Sequence, residues 1–224
     1  DPFLLPDMGK AVVRILQALL SGENIVIYGD YDCDGITGTA ILSRGLASLG
    51  AQVKPYIPHR LLEGYGLKAA ALENLRREGA SLVITCDCGV TAIPEVKFAG
   101  KMDLDVIITD HHIPTEQLPS AVATVNPHRS DSPYPFKDLS GAGVAYKLLQ
   151  ALYASLARGN EINSLLDLVA IGTVADMVPL IGENRLLVKQ GLSLMNRTAR
   201  LGVREILSAA RAGGEINAGS ISWI

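Results

Sequence analysis

At 224 residues and 48% hydrophobic, the chain can bury a substantial core as one large domain, or as one domain with an appendage. No apolar run approaches the roughly 20 residues of a membrane span, and the N-terminus lacks a signal-peptide arrangement, so a cytoplasmic protein with no membrane partner is expected. The net charge of −3 on its face argues against a nucleic-acid partner.

Met8 to Leu20 has a helical apolar period, opened by Pro6-Asp7 and stopped by Ser21-Gly22. Ile25 to Tyr28 reads as the first strand, followed by a helix from about Thr37 to Leu49 that ends at Gly50. Val53 to Ile57 reads as a strand, and Pro55 favours an edge position for it. Leu67 to Arg77 is helical and stops at Gly79. The continuous apolar runs at Leu82 and Val106 have the signature of parallel strands buried on both faces, and they enclose a helix from about Ala92 to Gly100. Val122 to Val125 adds a short strand before the loop Asn126 to Leu139. The remainder is helical: Val144 to Ala157, Ile162 to Val174, Asn184 to Met195 and Val203 to Ala212. The pattern predicts an α/β chain, a mostly parallel sheet flanked by helices, with a helical C-terminal section from about residue 196.

The most informative stretch is Asp30-Tyr31-Asp32-Cys33-Asp34-Gly35, directly after the first strand. Carboxylates this close raise one another's pKa and need cations to neutralise them. An extended chain would put Asp30, Asp32 and Asp34 on one face, with Gly35 allowing a sharp exit into the next helix. The alternative is a calcium loop or an acidic turn. An EF-hand loop, however, is flanked by a helix and carries Glu at its twelfth position, and here a strand leads in. The same design recurs where the Leu82 run ends in Cys86-Asp87-Cys88-Gly89 and the Val106 run in Asp110-His111-His112. Ligands bind beyond the carboxyl ends of such strands. Asp176 lies in an otherwise apolar stretch after the Ile162 helix, where a lone Asp is costly unless paired or metal-bound. Carboxylate oxygens with a single imidazole suit Mn²⁺ or Mg²⁺, and the His tilts the choice towards Mn²⁺. Cys86 and Cys88 flank Asp87 on opposite faces without a C-x-x-C spacing, so they read as packing residues in a reducing compartment rather than zinc ligands.

These residues carry a family resemblance. Asp30-Tyr31-Asp32-Cys33-Asp34-Gly35, Asp87-Cys88-Gly89, Asp110-His111-His112 and Val174-Ala175-Asp176-Met177-Val178-Pro179-Leu180 resemble the four ordered motifs of the DHH phosphoesterase superfamily. The wording of the first and fourth is similar to the RecJ branch, bacterial 5′→3′ single-strand-specific exonucleases, as are Glu63-Gly64-Tyr65-Gly66-Leu67 and Ser140-Gly141-Ala142-Gly143-Val144. The resemblance spans nearly the whole chain and stops before the further domains of that branch, which implies a catalytic-core fragment: residues 1–195 as the DHH-type catalytic domain and 196–224 as the start of a helical segment leading to a missing second domain. It implies two-metal phosphodiester cleavage, with ions about 3.5–4 Å apart bridged by Asp87. One ion would be held by Asp34, Asp87, His111 and Asp176, the other by Asp32 and Asp87 aided by Asp30. Tyr28 stands where related phosphatases often carry His, which would loosen the second ion. Asp110 would orient an imidazole, and His112 would face the scissile phosphate as acid or charge stabiliser. Single-stranded DNA is the implied substrate, in DNA repair and recombination, with a single-strand-binding protein or a helicase as partners of the full-length protein.

Charge and the remaining polar residues leave alternatives open. Setting the six aspartates aside from 23 acidic residues leaves 17 against 20 basic ones, and two divalent ions would bring −3 to +1, a weakly basic surface. Arg197, Arg200, Arg204 and Arg211 at helical spacing form either a DNA-tracking stripe or a solvated face. His59 and Arg60 either contact a phosphate or a base or are loop surface, and Tyr65 belongs to the same loop. Ser140, Gly141 and Gly143 open a helix, where glycines serve either anion binding or close packing. Lys147 is expected at the surface, and His128 and Arg129 carry no assigned role. Three function classes follow: a single-strand exonuclease core; a phosphoesterase for short oligonucleotides, cyclic dinucleotides or pyrophosphate; and a non-catalytic scaffold. The second usually has a first motif of the form Asp-x-Asp-x-x-Gly-Ser, from which Asp32 to Thr37 departs, and the intact ligand set argues against the third.

Overall fold

A computed structural model describes residues 1–197, 200–210 and 214–222. The apolar runs form strands β1 (Asn24–Gly29), β2 (Gln52–Tyr56), β3 (Ala80–Cys86), β4 (Asp105–Thr109) and β5 (Ala123–Val125). They pair in parallel in the order β2-β1-β3-β4-β5, with Ile27 opposite Pro55 on one side and Ile84 on the other. Helix α1 (Met8–Ser21) precedes β1, and α2 (Cys33–Ser48), α3 (Ala69–Arg77) and α4 (Ile93–Gly100) supply the crossovers from β1 to β4. Then follow α5 (Gly141–Ser155), α6 (Leu166–Ala175), α7 (Gly182–Met195), α8 (Leu201–Ala209) and α9 (Ala218–Ser222). Pro55 lies on the edge strand, where a missing N–H is tolerated.

Strand alternation divides the apolar side chains between two cores. Ile25 and Ile27 join Leu82, Ile84 and Ile107 beneath α1, α2 and α5, while Val26, Tyr28, Val83, Val106 and Ile108 face α3 and α4. Each such side chain contributes roughly 1.5–3 kcal/mol by leaving water, so a one-residue register slip would exchange both faces at once. The C-terminal helices bury Val203, Leu207 and Ile221 against the first core. Among the described residues no helix is long and apolar enough to cross a membrane.

Several local expectations are corrected. Helix α2 starts at Cys33 rather than Thr37, because Asp32 caps it by accepting the Gly35 N–H at 2.9 Å. The three aspartates therefore converge from a strand end, a cap and a first helical turn, not by alternation along an extended chain. Gly35 is needed for close approach, since a Cβ there would lie 2.6 Å from the Asp30 carbonyl oxygen. Lys147 is buried, not at the surface: its Nζ sits 2.6 Å from Glu183, which also accepts from the Tyr134 hydroxyl at 2.5 Å. The arginine stripe does not form on one helix. Arg197 lies in the turn after α7, and Arg200 caps α8 and binds Asp167 at 2.7 Å. Arg204 lies within α8 beside Glu205, and Arg211 is outside the described residues.

From β1 the chain crosses to β2 on one side, and from β3 it proceeds to β4 and β5 on the other. Such a reversal opens a crevice beyond the carboxyl ends of β1 and β3.

Candidate metal centre

Four strands end in a polar residue at this crevice: Asp30 after β1, Asp87 after β3, Asp110 after β4 and Asn126 after β5. The helices bring Asp34 in the first turn of α2, and Asp176 as the C-cap of α6. His111 links them, its Nε2 lying 3.1 Å from Asp87 Oδ1, 3.6 Å from Asp176 Oδ2 and 3.9 Å from Asp34 Oδ2. Asp34, His111 and Asp176 form one group with donor atoms within 4.8 Å of one another, Asp30, Asp32 and Asp87 form a second, and Asp87, His111 and His112 form a third, His112 Nδ1 lying 3.9 Å from Asp87 Oδ1. Asp87 faces the first two groups, through His111 in one direction and the two aspartates in the other. The backbone is strained here: Asp87 and Met177, neither a glycine, adopt φ of 62° and 60°.

The centre is held from behind by backbone. Asp34 is fully buried and its two oxygens accept the Gly141 and Ala142 N–H groups at 2.5 and 2.9 Å. The first turn of α5 thus binds an anion, and that anion is the chain's own Asp34 carboxylate. Ser140, Gly141 and Gly143 are buried, with the Ser140 hydroxyl accepting the Gly143 N–H, so of the two readings, anion binding and close packing, this turn does both for the chain itself. Gly141 and Gly172 are required by contact: a Cβ on Gly141 would lie 2.6 Å from that of Asp87, and one on Gly172 would lie 2.7 Å from Asp34 Oδ1.

Electrostatics show what the cluster lacks. Burial, then the Asp176 charge, raises the Asp34 carboxyl to about 6. Burial, with Asp34 and Asp32 adding to it and His111 opposing, raises Asp87 to about 8. Burial disfavours the His111 imidazolium, yet the surrounding carboxylates of Asp87, Asp34 and Asp176 push it up to about 9. Asp87 Oδ1 and His111 Nε2 stand 3.1 Å apart but are not aligned for a hydrogen bond, and together with Asp176 Oδ2 and Asp30 Oδ1 they are buried with no well-formed hydrogen bond. An unsatisfied buried polar atom costs about 1–3 kcal/mol, more if charged, and several aimed at one space fit a cation there. The donors are oxygen and nitrogen, the set suited to Mn²⁺ or Mg²⁺. Thiolate ligation does not fit: burial pushes the Cys33 thiol up to about 11 and holds Cys86 and Cys88 well above the ordinary range.

The two adjacent histidines diverge. His112 Nδ1 pairs with Asp110 Oδ1 at 2.8 Å, while the Asp110 carboxylate also accepts the N–H groups of Val90, His111 and His112. Those bonds hold Asp110 below the usual carboxylate range although burial works against it. The Asp110 bond in turn raises the His112 pKa against burial. The His112 side chain is 47% exposed against 12% for His111, so its ring remains accessible. Tyr65 sets its ring edge-on to His112, with its hydroxyl 3.3 Å from Nδ1. Arg60 lies over the Tyr31 ring at 5.1 Å, beside the first motif. His59 Nδ1 accepts the Leu61 and Leu62 N–H groups of its own loop, and the residue is exposed. Sequence reasoning missed Asn126, which is fully buried and donates from Nδ2 to the His112 carbonyl at 2.9 Å. Its signal was a polar residue directly after an apolar strand, the position already noted for Asp30, Asp87 and Asp110.

Comparison with known proteins identifies the family. The chain is 48% identical over 216 residues to the single-stranded-DNA-specific exonuclease RecJ of Bacillus subtilis, covering 96% of this chain and 27% of the relative. RecJ of Thermus thermophilus is 43% identical over 209 residues, 92% of this chain and 30% of that one. The curated relatives are longer: the chain spans 27–38% of the RecJ proteins it matches. A crystal structure of exonuclease RecJ bound to manganese superposes with a TM-score of 0.88 at 40% identity, covering 97% of this chain and 55% of that one. RecJ of Thermus thermophilus in complex with Mg²⁺ superposes with a TM-score of 0.70 at 35% identity, over 97% of this chain and 27% of that one. The sequence model of the DHH family, N-terminal domain, matches residues 24–173, through every strand and the Asp-His-His motif, and the chain belongs to the DHH family.

Proposed function

We propose that this chain is the catalytic core of a metal-dependent phosphodiesterase that removes nucleotides from the 5′ end of single-stranded DNA, using two Mn²⁺ or Mg²⁺ ions. The observation that carries the reading is the set of buried, unpartnered donor atoms on Asp87, His111 and Asp176 around one space. The RecJ relatives support the substrate, and the manganese and magnesium structures of RecJ support the ions. Asp34, Asp87, His111 and Asp176 would hold one ion, and Asp30, Asp32 and Asp87 the other, with Asp87 shared. Such ions lower the pKa of a bound water and stabilise charge on phosphate oxygens.

The chain's own groups do the rest. Asp110 holds the His112 ring by Nδ1, which leaves Nε2 for the substrate. Its raised pKa favours the imidazolium, so Nε2–H donates to the leaving oxygen as the P–O bond breaks, or stabilises the charge there. Tyr65 buttresses that ring, and Arg60 on the exposed loop meets a neighbouring phosphate. The α5 amides keep Asp34 in place without a competing side chain. The same reading puts the protein in DNA repair and recombination in the cytoplasm, with a single-strand-binding protein or a helicase as partners of the full-length protein.

The test offers end-labelled single-stranded DNA, duplex DNA, a dinucleotide and pyrophosphate to the chain with Mn²⁺ and with Mg²⁺. Release of nucleotides from the 5′ end of the single strand is expected. Preference for pyrophosphate or the dinucleotide would replace this reading with a small-molecule phosphoesterase.

A further inference from the structure

We propose that the groove along α7, rimmed by Arg185, Lys189 and Arg197, binds the sugar–phosphate backbone of a nucleic-acid single strand outside the metal centre. The inference rests on the phosphodiesterase reading above and extends it to a second, non-catalytic contact. The groove encloses about 580 Å³ between α7 and the segment around Ile216. Its end is preformed, because Asn196 clasps Ile216 twice: Nδ2 donates to the carbonyl at 2.8 Å and Oδ1 accepts the N–H at 2.9 Å.

The groove gathers three free cations. Arg14, Arg129, Lys147, Arg158 and Arg200 are each held by a carboxylate within 2.9 Å. The side chains of Arg185, Lys189 and Arg197 have no ion-pair or hydrogen-bond partner among the described residues, a property they share with Arg44, Lys68, Lys97 and Lys101, but here three meet along one groove whose one acidic lining residue among those described is Glu215. Arg185 and Lys189 are one turn apart on an exposed face, and Arg197 follows the end of the helix. At about 1.5 Å per residue this rim runs for about 18 Å, room for several phosphates. The floor is aliphatic, formed by Leu180, Val188 and Leu192, and among the described residues no aromatic ring lines it. The contact the lining offers is thus a charged, sequence-tolerant one with the backbone. Continuity favours a strand over an acidic peptide. Leu180 lies on the loop that leads from Asp176 to α7, and four residues of chain span at most about 14 Å.

The test compares the chain with a triple variant, Arg185→Gln, Lys189→Gln and Arg197→Gln. Binding of a fluorescent oligothymidylate long enough to span the groove is measured against salt, with Mn²⁺ and in the His112→Ala background so that the strand is not consumed. Each lost phosphate contact lowers the salt slope by about 0.7, so three lower it by about 2 and weaken binding by about 10²-fold at about 0.1 M salt. Cleavage of a dinucleotide, which is too short to reach α7, is expected unchanged when the triple substitution is made with His112 intact. Arg185→Lys with Arg197→Lys should keep the slope, and each single Gln variant should lower it by about a third of the triple effect. Unchanged strand affinity and slope in the triple variant would overturn the inference, leaving an acidic peptide as the groove's candidate ligand. If the unsubstituted chain cleaves no phosphodiester at all, the catalytic reading fails by itself, and the salt slope still decides the groove.

Discussion

Gly172→Ala tests whether the packing behind the metal centre sets its affinity. Gly172 lies on α6, where an added Cβ would overlap Thr37 Oγ1 and stand 2.7 Å from both the Ala142 Cβ and Asp34 Oδ1. Ordinary contact begins near 3.4 Å, so α6 or Asp34 must yield by about 0.7 Å. Overpacking of this kind costs about 1–3 kcal/mol, and replacing a helical glycine by alanine returns about 1 kcal/mol, for a net loss of up to about 2 kcal/mol. In a chain of this size that lowers Tm by up to about 8 °C. The metal is more sensitive than the fold, since ligand distances tolerate only about 0.2 Å and disturbed outer contacts cost about 10–100-fold in affinity. Calorimetric Mn²⁺ titration beside metal-free melting separates the two effects. Gly45→Ala is the control: its Cβ would collide with Leu149 Cδ1, away from every proposed ligand, so it should lower Tm and leave Mn²⁺ affinity unchanged. Wild-type Mn²⁺ affinity in Gly172→Ala, or an equal loss in both variants, would refute the argument.

His111→Ala should weaken Mn²⁺ binding, whereas His112→Ala should bind Mn²⁺ normally and lower turnover by about 10²–10⁴-fold; equal metal loss in both would show that their roles are not divided. Asp110→Asn should reproduce much of the His112 defect in kcat and lower the apparent pKa of the alkaline limb, where the imidazolium is lost, which a pH–rate profile reads. Metal-free stability should fall as pH rises: the folded pKa values of Asp34, Asp87 and His111, about 6, 8 and 9, all lie above their ordinary values, so their contribution is complete at low pH and is lost through that range. Mn²⁺ requires the deprotonated ligands, so the rise in Tm on adding it should grow from pH 5 to pH 9 by calorimetry, and a pH-independent increment would contradict the ligand set. Asn126→Ala should lower kcat more than it weakens metal binding, since it frees the His112 carbonyl, and the reverse order would remove Asn126 from the site.

The strands and their terminal acids were legible because the signal is local: a run of β-branched residues followed at once by Asp. Asp30, Asp87 and Asp110 could be assigned to one sheet edge without knowing the strand order. What escaped was everything whose partner is distant in the chain. The start of α2 was missed because periodicity counts apolar positions, and its first turn is Cys33-Asp34-Gly35 behind a capping Asp32 that looked only like a ligand. Lys147 was expected at the surface because nothing within a helical turn hinted at Glu183 and Tyr134. Ser140 to Gly143 did announce an anion-binding turn, yet its occupant comes from Asp34, more than a hundred residues earlier. The arginine spacing fitted a helix that the chain interrupts between α7 and α8.

The same distinction separates the two halves of the proposed metal centre. Asp34, His111 and Asp176 come from three elements locked by burial and by the α5 amides, so their geometry exists before any ion arrives. In the other group Asp32 is exposed and already spends Oδ1 on capping α2, while Asp30 leaves Oδ1 unpartnered at the end of β1. Tyr28 supplies nothing there: its ring packs against Tyr56 and its hydroxyl donates to the Gly66 carbonyl. A preorganised set binds without reorganising, whereas a set that includes an exposed capping residue must weigh its cap against its ion. On the proposed two-ion reading, an ion held by Asp30, Asp32 and Asp87 would be the weaker of the two, and a substrate phosphate oxygen arriving beside Asp32 would strengthen it.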